Sequence, residues 1–205
     1  MNIRPCIPLL VLLLVLVSAA PAFAATPTEQ LRATVDQVIE ILRDKSLSGG
    51  PRRQKLSTLI RPRFNFPLMA QWVLGTNWRK ATPAEKERFL VLFTDTLEET
   101  YVGKIENYTD EKVRYLKEKV EGEKAEVATV IVGKSVEIPI DYRLAQKGGE
   151  WLVYDVSVEG VSLVRNFRST YDEIVRKDGL PGLLRQMEEK LREMRANNAG
   201  AGRKS

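Results

Sequence analysis

The sequence predicts an α+β fold, a curved antiparallel sheet of about four strands wrapped by helices. Three observations lead there. Apolar residues recur at helical spacing as far as about Tyr108, at alternate positions from Val113 to Val158, and at helical spacing again after Ser162. The turns between the alternating segments are short, which makes consecutive strands antiparallel neighbours in a meander. No long linker or internal repeat divides the chain, so residues 25–196 read as one domain.

Residues 1–24 stand apart. Arg4 gives a positive start, Ile7 to Val17 is almost unbroken apolar sequence, and Ala22-Phe23-Ala24 is a small-x-small cleavage site. The run is too short, and too soon followed by Pro21, for a stable membrane span. We expect a cleaved signal peptide and an exported protein. Cys6 leaves with that segment, so the remaining chain has no cysteine.

Thr26-Pro27-Thr28-Glu29 is a capping signature and opens a helix that runs to about Asp44. Its apolar stripe of Leu31, Val35, Val38, Ile39 and Leu42 occupies one face, which places it on the outside of something. Ser48-Gly49-Gly50-Pro51 ends it, and a short helix carrying Leu56, Leu59 and Ile60 stops at Pro62. Phe64 to Gly75 forms another short helix, with Asn65 as its cap and Gly75 as its stop, and Trp78 follows in a loop. Thr82-Pro83-Ala84-Glu85 repeats the capping signature and starts the longest helix, whose inner face is Phe89, Leu92, Phe93, Thr96, Leu97, Thr100, Tyr101 and Ile105.

The alternating segments come next. Val113, Tyr115 and Lys117 begin the first strand, Ala125, Val127, Thr129 and Ile131 the second, and Val136, Ile138, Ile140, Tyr142 and Leu144 the third. Pro139 asks for a bulge or an edge, where its missing N–H does no harm. Lys147-Gly148-Gly149-Glu150 is a hairpin turn into Trp151 to Val158. Strict alternation puts Trp151, Val153, Asp155 and Ser157 on one face of that strand and Leu152, Tyr154, Val156 and Val158 on the other. Glu159-Gly160 turns it into a helix from Ser162 to Gly179, and a last helix from Pro181 carries Leu183, Leu184, Met187, Leu191 and Met194. Asn197 to Ser205 reads as a disordered polar tail.

Composition excludes most familiar catalysis. The chain has no histidine, which removes Ser-His-Asp triads, His-ligated zinc and His general bases. Without cysteine there are no thiol nucleophiles, thiolate metal sites or disulfides. The net charge of +5 is spread among acids with no basic stripe, which speaks against nucleic acid. Asp141 and Asp155 lie on adjacent strands as a carboxylate pair suited to acid–base work, or else as structural partners of Arg143, Arg165 or Arg168. The bulky apolar groups on the middle helices and last strands form either a packed core or the walls of a cavity for an apolar ligand.

Several blocks together resemble one family. Phe64-Asn65-Phe66-Pro67-Leu68-Met69-Ala70, Val73-Leu74-Gly75 with Trp78, Ile138-Pro139-Ile140-Asp141-Tyr142, Trp151 to Val156, and Glu159 to Arg168 are similar to the MlaC family, the toluene-tolerance type of periplasmic lipid-binding protein. Asn65 departs from the aspartate usual between the two phenylalanines, though it still serves as a cap. The resemblance implies a cystatin-like or nuclear-transport-factor-like roll with an apolar lipid cavity. It implies a phospholipid carrier in the periplasm, not an enzyme, that maintains outer-membrane lipid asymmetry. The carrier would be a monomer without cofactor or metal that shuttles lipid between an outer-membrane lipoprotein complex and an inner-membrane ABC transporter with an MCE-domain subunit. Alternatives are a hydrolase or isomerase using Asp141 or Asp155, and a periplasmic adaptor that binds no lipid. The expected lipid walls are Val73, Leu74, Trp78, Phe93, Leu97, Tyr101, Ile140, Tyr142, Trp151, Val153, Val161, Val164 and Phe167, with the tails between the last two long strands and the Phe89 to Tyr101 helix.

Overall fold

A computed structural model of the chain describes residues 25–47, 49–105, 111–134 and 136–201. The expected signal segment, 1–24, lies outside the described residues. Helix α1 spans Pro27–Arg43 and begins with the expected capping box: the Thr26 N–H donates to Glu29 Oε2 at 2.8 Å, and the Glu29 N–H donates to Thr26 Oγ1 at 3.2 Å. Helix α2 (Gly49–Ile60), a 3-10 turn (Arg61–Arg63) and α3 (Phe66–Leu74) follow. Asn65 caps α3, its Oδ1 accepting from the Leu68 N–H at 3.1 Å. Trp78 belongs to a short helix, α4 (Thr76–Lys80), where the sequence suggests a loop. Helix α5 is Pro83–Ile105.

The sheet has five antiparallel strands in sequence order: β1 (Lys112–Glu121), β2 (Lys124–Val132), β3 (Glu137–Lys147), β4 (Glu150–Val158) and the two-residue β5 (Val161–Ser162). The meander is therefore as expected, with one short strand added. Helix α6 (Leu163–Ala201) is broken at Gly179, whose φ of 70° and ψ of 173° are not helical, so the two expected C-terminal helices meet at a kink. The helix runs past Asn197, where the composition suggests a tail. Asn198 Nδ2 donates to Glu99 Oε2 at 2.7 Å, and Arg195 pairs with Asp95 at 2.9 Å, which ties this end to α5.

Two bulges set which side chains share a face. The β3–β4 register passes from Arg143↔Asp155 to Leu144↔Val153, leaving Tyr154 as the extra residue. The alternation changes phase there, so Trp151, Val153, Val156 and Val158 all share the face of Ile140, Tyr142 and Leu144. A second shift between Tyr115 and Lys117 makes Tyr115 share the face of Thr129, whereas Lys117 pairs with Ala128 on the opposite one. Pro139 lies in an interior strand, but its carbonyl accepts from the Glu159 N–H at 3.0 Å, beyond the last β3–β4 pair at Ile140. Its nitrogen faces the same way, so the missing donor falls where the ladder has already ended.

Candidate functional site

The core divides into two clusters. In the first, α3, α5 and α6 enclose Met69, Val73, Leu74, Phe89, Phe93, Leu97, Val164, Tyr171 and Leu183. Aromatic rings lock this cluster: Phe89 stacks on Phe93 at 5.6 Å, and Phe167 meets Phe93 edge-on at 5.5 Å. The second cluster lies between α1 and the sheet face that carries Ile140, Leu144 and Val153. It contains Leu31 from α1 with Ala125, Val127, Ile140, Leu144, Trp151, Val153 and Val156 from the strands.

Among the described residues, the second cluster is roofed most closely at one end. Near its N-terminus α1 is tied down on both sides: the Thr28 N–H donates to Glu118 Oε2 at 2.7 Å, and the Trp151 N–H donates to Gln30 Oε1 at 2.8 Å. Leu31 is buried there. Further along, Val35, Val38, Ile39 and Leu42 are only half-buried. On the sheet below, Ile131, Ile138, Tyr142 and Val158 are half-buried as well, as is Leu163 at the start of α6. A group of large apolar side chains further along the layer is thus only partly covered by the described residues. An open groove of about 640 Å³ lies between α1 and α2, lined by Ile41, Pro51 and Leu59 with Gln54, Lys55 and Thr58, and shares no lining residue with the sheet layer.

The thirteen expected wall residues separate between these surroundings. Ile140, Trp151 and Val153 are buried in the sheet layer, and Tyr142 is half-buried against it. Val73, Leu74, Phe93, Leu97 and Val164 are buried in the helical cluster, with Trp78, Tyr101 and Phe167 packed on it. Val161 is 59% exposed in β5, so the expectation that it faces the interior does not hold. A two-residue strand next to a turn alternates its side chains, and Ser162 takes the inward position. The helix across β1 and β2 is α1, while α5 packs chiefly on α6. Val127, Val156, Leu31 and Tyr115 belong to the layer but were not among the expected walls.

The two aspartates are not an acid–base pair. Asp141 is exposed and opposite Ser157. Asp155 is 3% exposed and fully engaged: Ser162 Oγ–H donates to its Oδ2 at 2.6 Å, the Val164 N–H to its Oδ1 at 3.1 Å, and Arg143 lies 3.5 Å away. The carboxylate fastens the start of α6 to β4. Its cationic partner is Arg143, not Arg165 or Arg168. Arg168 instead packs its guanidinium against Gly75 and pairs with Asp172 at 3.6 Å.

Tyr115 on β1 faces the sheet layer, and its hydroxyl is buried without a hydrogen-bond partner among the described residues. Burial holds its phenol well above the ordinary range, helped by Tyr142 and Asp36 and opposed by Arg32. The Arg32 guanidinium lies 4.5 Å from the Tyr115 ring centroid. Among the described residues, no group of His, Cys, Asp and Glu is placed to hold a metal, and no helix is long and apolar enough to cross a membrane.

This architecture has known counterparts. A phospholipid-binding protein from Ralstonia solanacearum, solved in complex with a phospholipid, superposes with a TM-score of 0.76 over 83% of this chain and 99% of its own, at 23% identity. An intermembrane phospholipid transport system binding protein from Haemophilus influenzae is 26% identical over 144 residues, which is 65% of this chain and 67% of that protein. A toluene tolerance protein from Pseudomonas putida is 25% identical over 177 residues, 82% of either chain. The sequence model of one family, described as MlaC protein, matches residues 32–189, and with most of its length so matched this chain belongs to the MlaC family.

Proposed function

We propose that this protein is a phospholipid-binding carrier whose acyl tails lie between α1 and the sheet face that carries Ile140, Leu144 and Val153. The observation that carries this is the half-roofed layer: Val35, Ile131, Ile138, Tyr142, Val158 and Leu163 present apolar surface that the described residues cover only in part. Apolar surface left partly uncovered beside a core is a candidate binding surface, and the side chains that the sheet presents here are large and apolar or aromatic. The Haemophilus and Pseudomonas relatives, named for phospholipid transport and toluene tolerance, support the same reading. Of the expected walls it keeps Ile140, Tyr142, Trp151 and Val153. The eight in or on the helical cluster are packed core in this reading.

The carrier works in the periplasm as a monomer, exports itself by the cleaved segment 1–24, and exchanges lipid with an outer-membrane lipoprotein complex and an inner-membrane MCE-domain ABC transporter. Membership of the family supports these partners. No catalytic residue is required, because moving a lipid breaks no bond, and the engagement of Asp155 disfavours the hydrolase alternative. The deciding experiment is organic extraction of gel-filtered, folded protein followed by mass spectrometry, with uptake from phospholipid vesicles as its counterpart. Bound or acquired phospholipid is the expected result. Folded protein that carries none and takes none up would overturn the carrier and favour the adaptor.

A further inference from the structure

Three buried side-chain polar atoms lack a hydrogen-bond partner among the described residues, and the hydroxyl among them is that of Tyr115, in the sheet layer. An unmade bond at a buried hydroxyl is a standing cost to the lipid-free fold. Its strand neighbour shows that the fold can avoid that cost: Thr129, directly opposite on β2, donates its hydroxyl to the Ile140 carbonyl at 2.9 Å. Above Tyr115, Arg32 is exposed on α1 and makes no ion pair among the described residues. An exposed cation without an ion pair among the described residues and a buried donor without an acceptor among them thus meet across one aromatic ring. Asp36, one turn along α1, also raises the pKa of the phenol, and Arg32 opposes it.

We propose that Arg32 and Tyr115 form a two-point site for the glycerophosphate end of a diacyl lipid. The Tyr115 hydroxyl donates to an acyl ester carbonyl within the layer, and the Arg32 guanidinium pairs with the phosphate outside it. The division follows from desolvation. A neutral carbonyl enters an apolar layer at little cost when it gains a hydrogen bond, whereas a phosphate charge stays in water beside a weakly hydrated, forked cation. In such a lipid the two groups are a few bonds apart, as the two residues require. This inference rests on the carrier reading and adds to it the contacts that hold the polar end.

The test uses the chain from residue 25 onward, stripped of lipid and offered vesicles of phosphatidylglycerol with either ester-linked or ether-linked chains. For Tyr115→Phe we expect retention of the ester lipid to fall roughly fivefold, the ether lipid to be unaffected, and the lipid-free melting temperature to equal or exceed that of the parent. Arg32→Gln weakens both lipids alike, and its effect shrinks as salt is raised. Equal retention of the ester lipid by Tyr115→Phe overturns the site. So does a lower lipid-free melting temperature combined with equal loss of both lipids, which marks the hydroxyl as structural. If the parent itself takes up neither lipid, the carrier reading fails and the site with it; if the parent loads and Tyr115→Phe loads equally, only the site fails.

Discussion

Two clusters of similar composition have been given opposite roles, and large-to-small substitution separates them. Phe93 is fully buried, stacked on Phe89 and met edge-on by Phe167. Truncation to alanine in such a packed place costs about 3–5 kcal/mol, because the neighbours cannot collapse into the void. For a domain of this size each kcal/mol shifts the melting temperature by about 2–4 °C, so Phe93→Ala should melt roughly 6–20 °C lower. Ile138 is half-buried at the open end of the sheet layer. Full burial of such a side chain is worth about 1.5–3 kcal/mol, so Ile138→Ala should cost only about 1 kcal/mol. The assay pairs thermal unfolding of lipid-free protein with phospholipid retained per folded molecule after gel filtration. Phe93→Ala should lose stability and keep its lipid per folded molecule; Ile138→Ala should lose lipid per folded molecule and only about 1 kcal/mol of stability. If Phe93→Ala stays within about 3 °C of the parent while shedding lipid, the tails lie among the helices and our assignment is wrong.

Other outcomes follow from the fasteners of the fold. Asp155→Ala removes the acceptor of the hydrogen bonds from Ser162, Val164 and Arg143 and should cost about 4 kcal/mol in denaturant titration; Ser162→Ala should cost less than half of that. At Gly75, φ is 52° and ψ is −119°, and an added Cβ would lie 2.8 Å from an Arg168 guanidinium nitrogen. Gly75→Ala should therefore destabilise by about 2–3 kcal/mol, and adding Arg168→Ala should recover only the steric part, as thermal melts of the two variants will show. Restoring phospholipid to stripped protein should raise its stability by about 2.7 kcal/mol once free lipid reaches a hundred times the dissociation constant, read as a concentration-dependent melting temperature.

Much of this was legible in the residues. The capping boxes at Thr26 and Thr82 are local chemistry, and both form as read. The meander was legible because each turn is short and marked by glycine. What strict alternation missed was the pair of bulges. One extra residue at Tyr154 moves Val156 and Val158 to the face of Trp151, and nothing in the local sequence marks it, since bulged and regular strands draw on the same residues. The same limit hid Tyr115, whose value lies in a missing partner and not in its type. The stripe on α1 announced a helix with one buried face, but only the contacts at Gln30 and Glu118 identify that face as a roof fastened at one end. The aromatic stripe of α5 was read as a wall because ring-rich faces suit cores and cavities equally, and stacking geometry alone distinguishes them.

The unfinished roof also has an energetic logic. Each methylene moved out of water is worth about 0.8 kcal/mol, so a chain of ~16 carbons left in water would cost on the order of 12 kcal/mol. A carrier that gripped the tails much more tightly than a bilayer does would never release them, and one that gripped much less would never load. Near balance is obtained when the protein offers apolar surface equivalent to a bilayer and little else. A fully packed layer would fail, because loading would first have to break its own contacts. The belt formed by Val35, Ile131, Ile138, Val158 and Leu163 avoids this by being only half-covered beforehand, while Leu31, Thr28 and Gln30 keep α1 in place. With the tails nearly balanced, one hydrogen bond from Tyr115 and one screened contact from Arg32 are small enough to leave exchange reversible. They are still large enough, at about tenfold per 1.4 kcal/mol, to select a glycerophospholipid over a bare hydrocarbon.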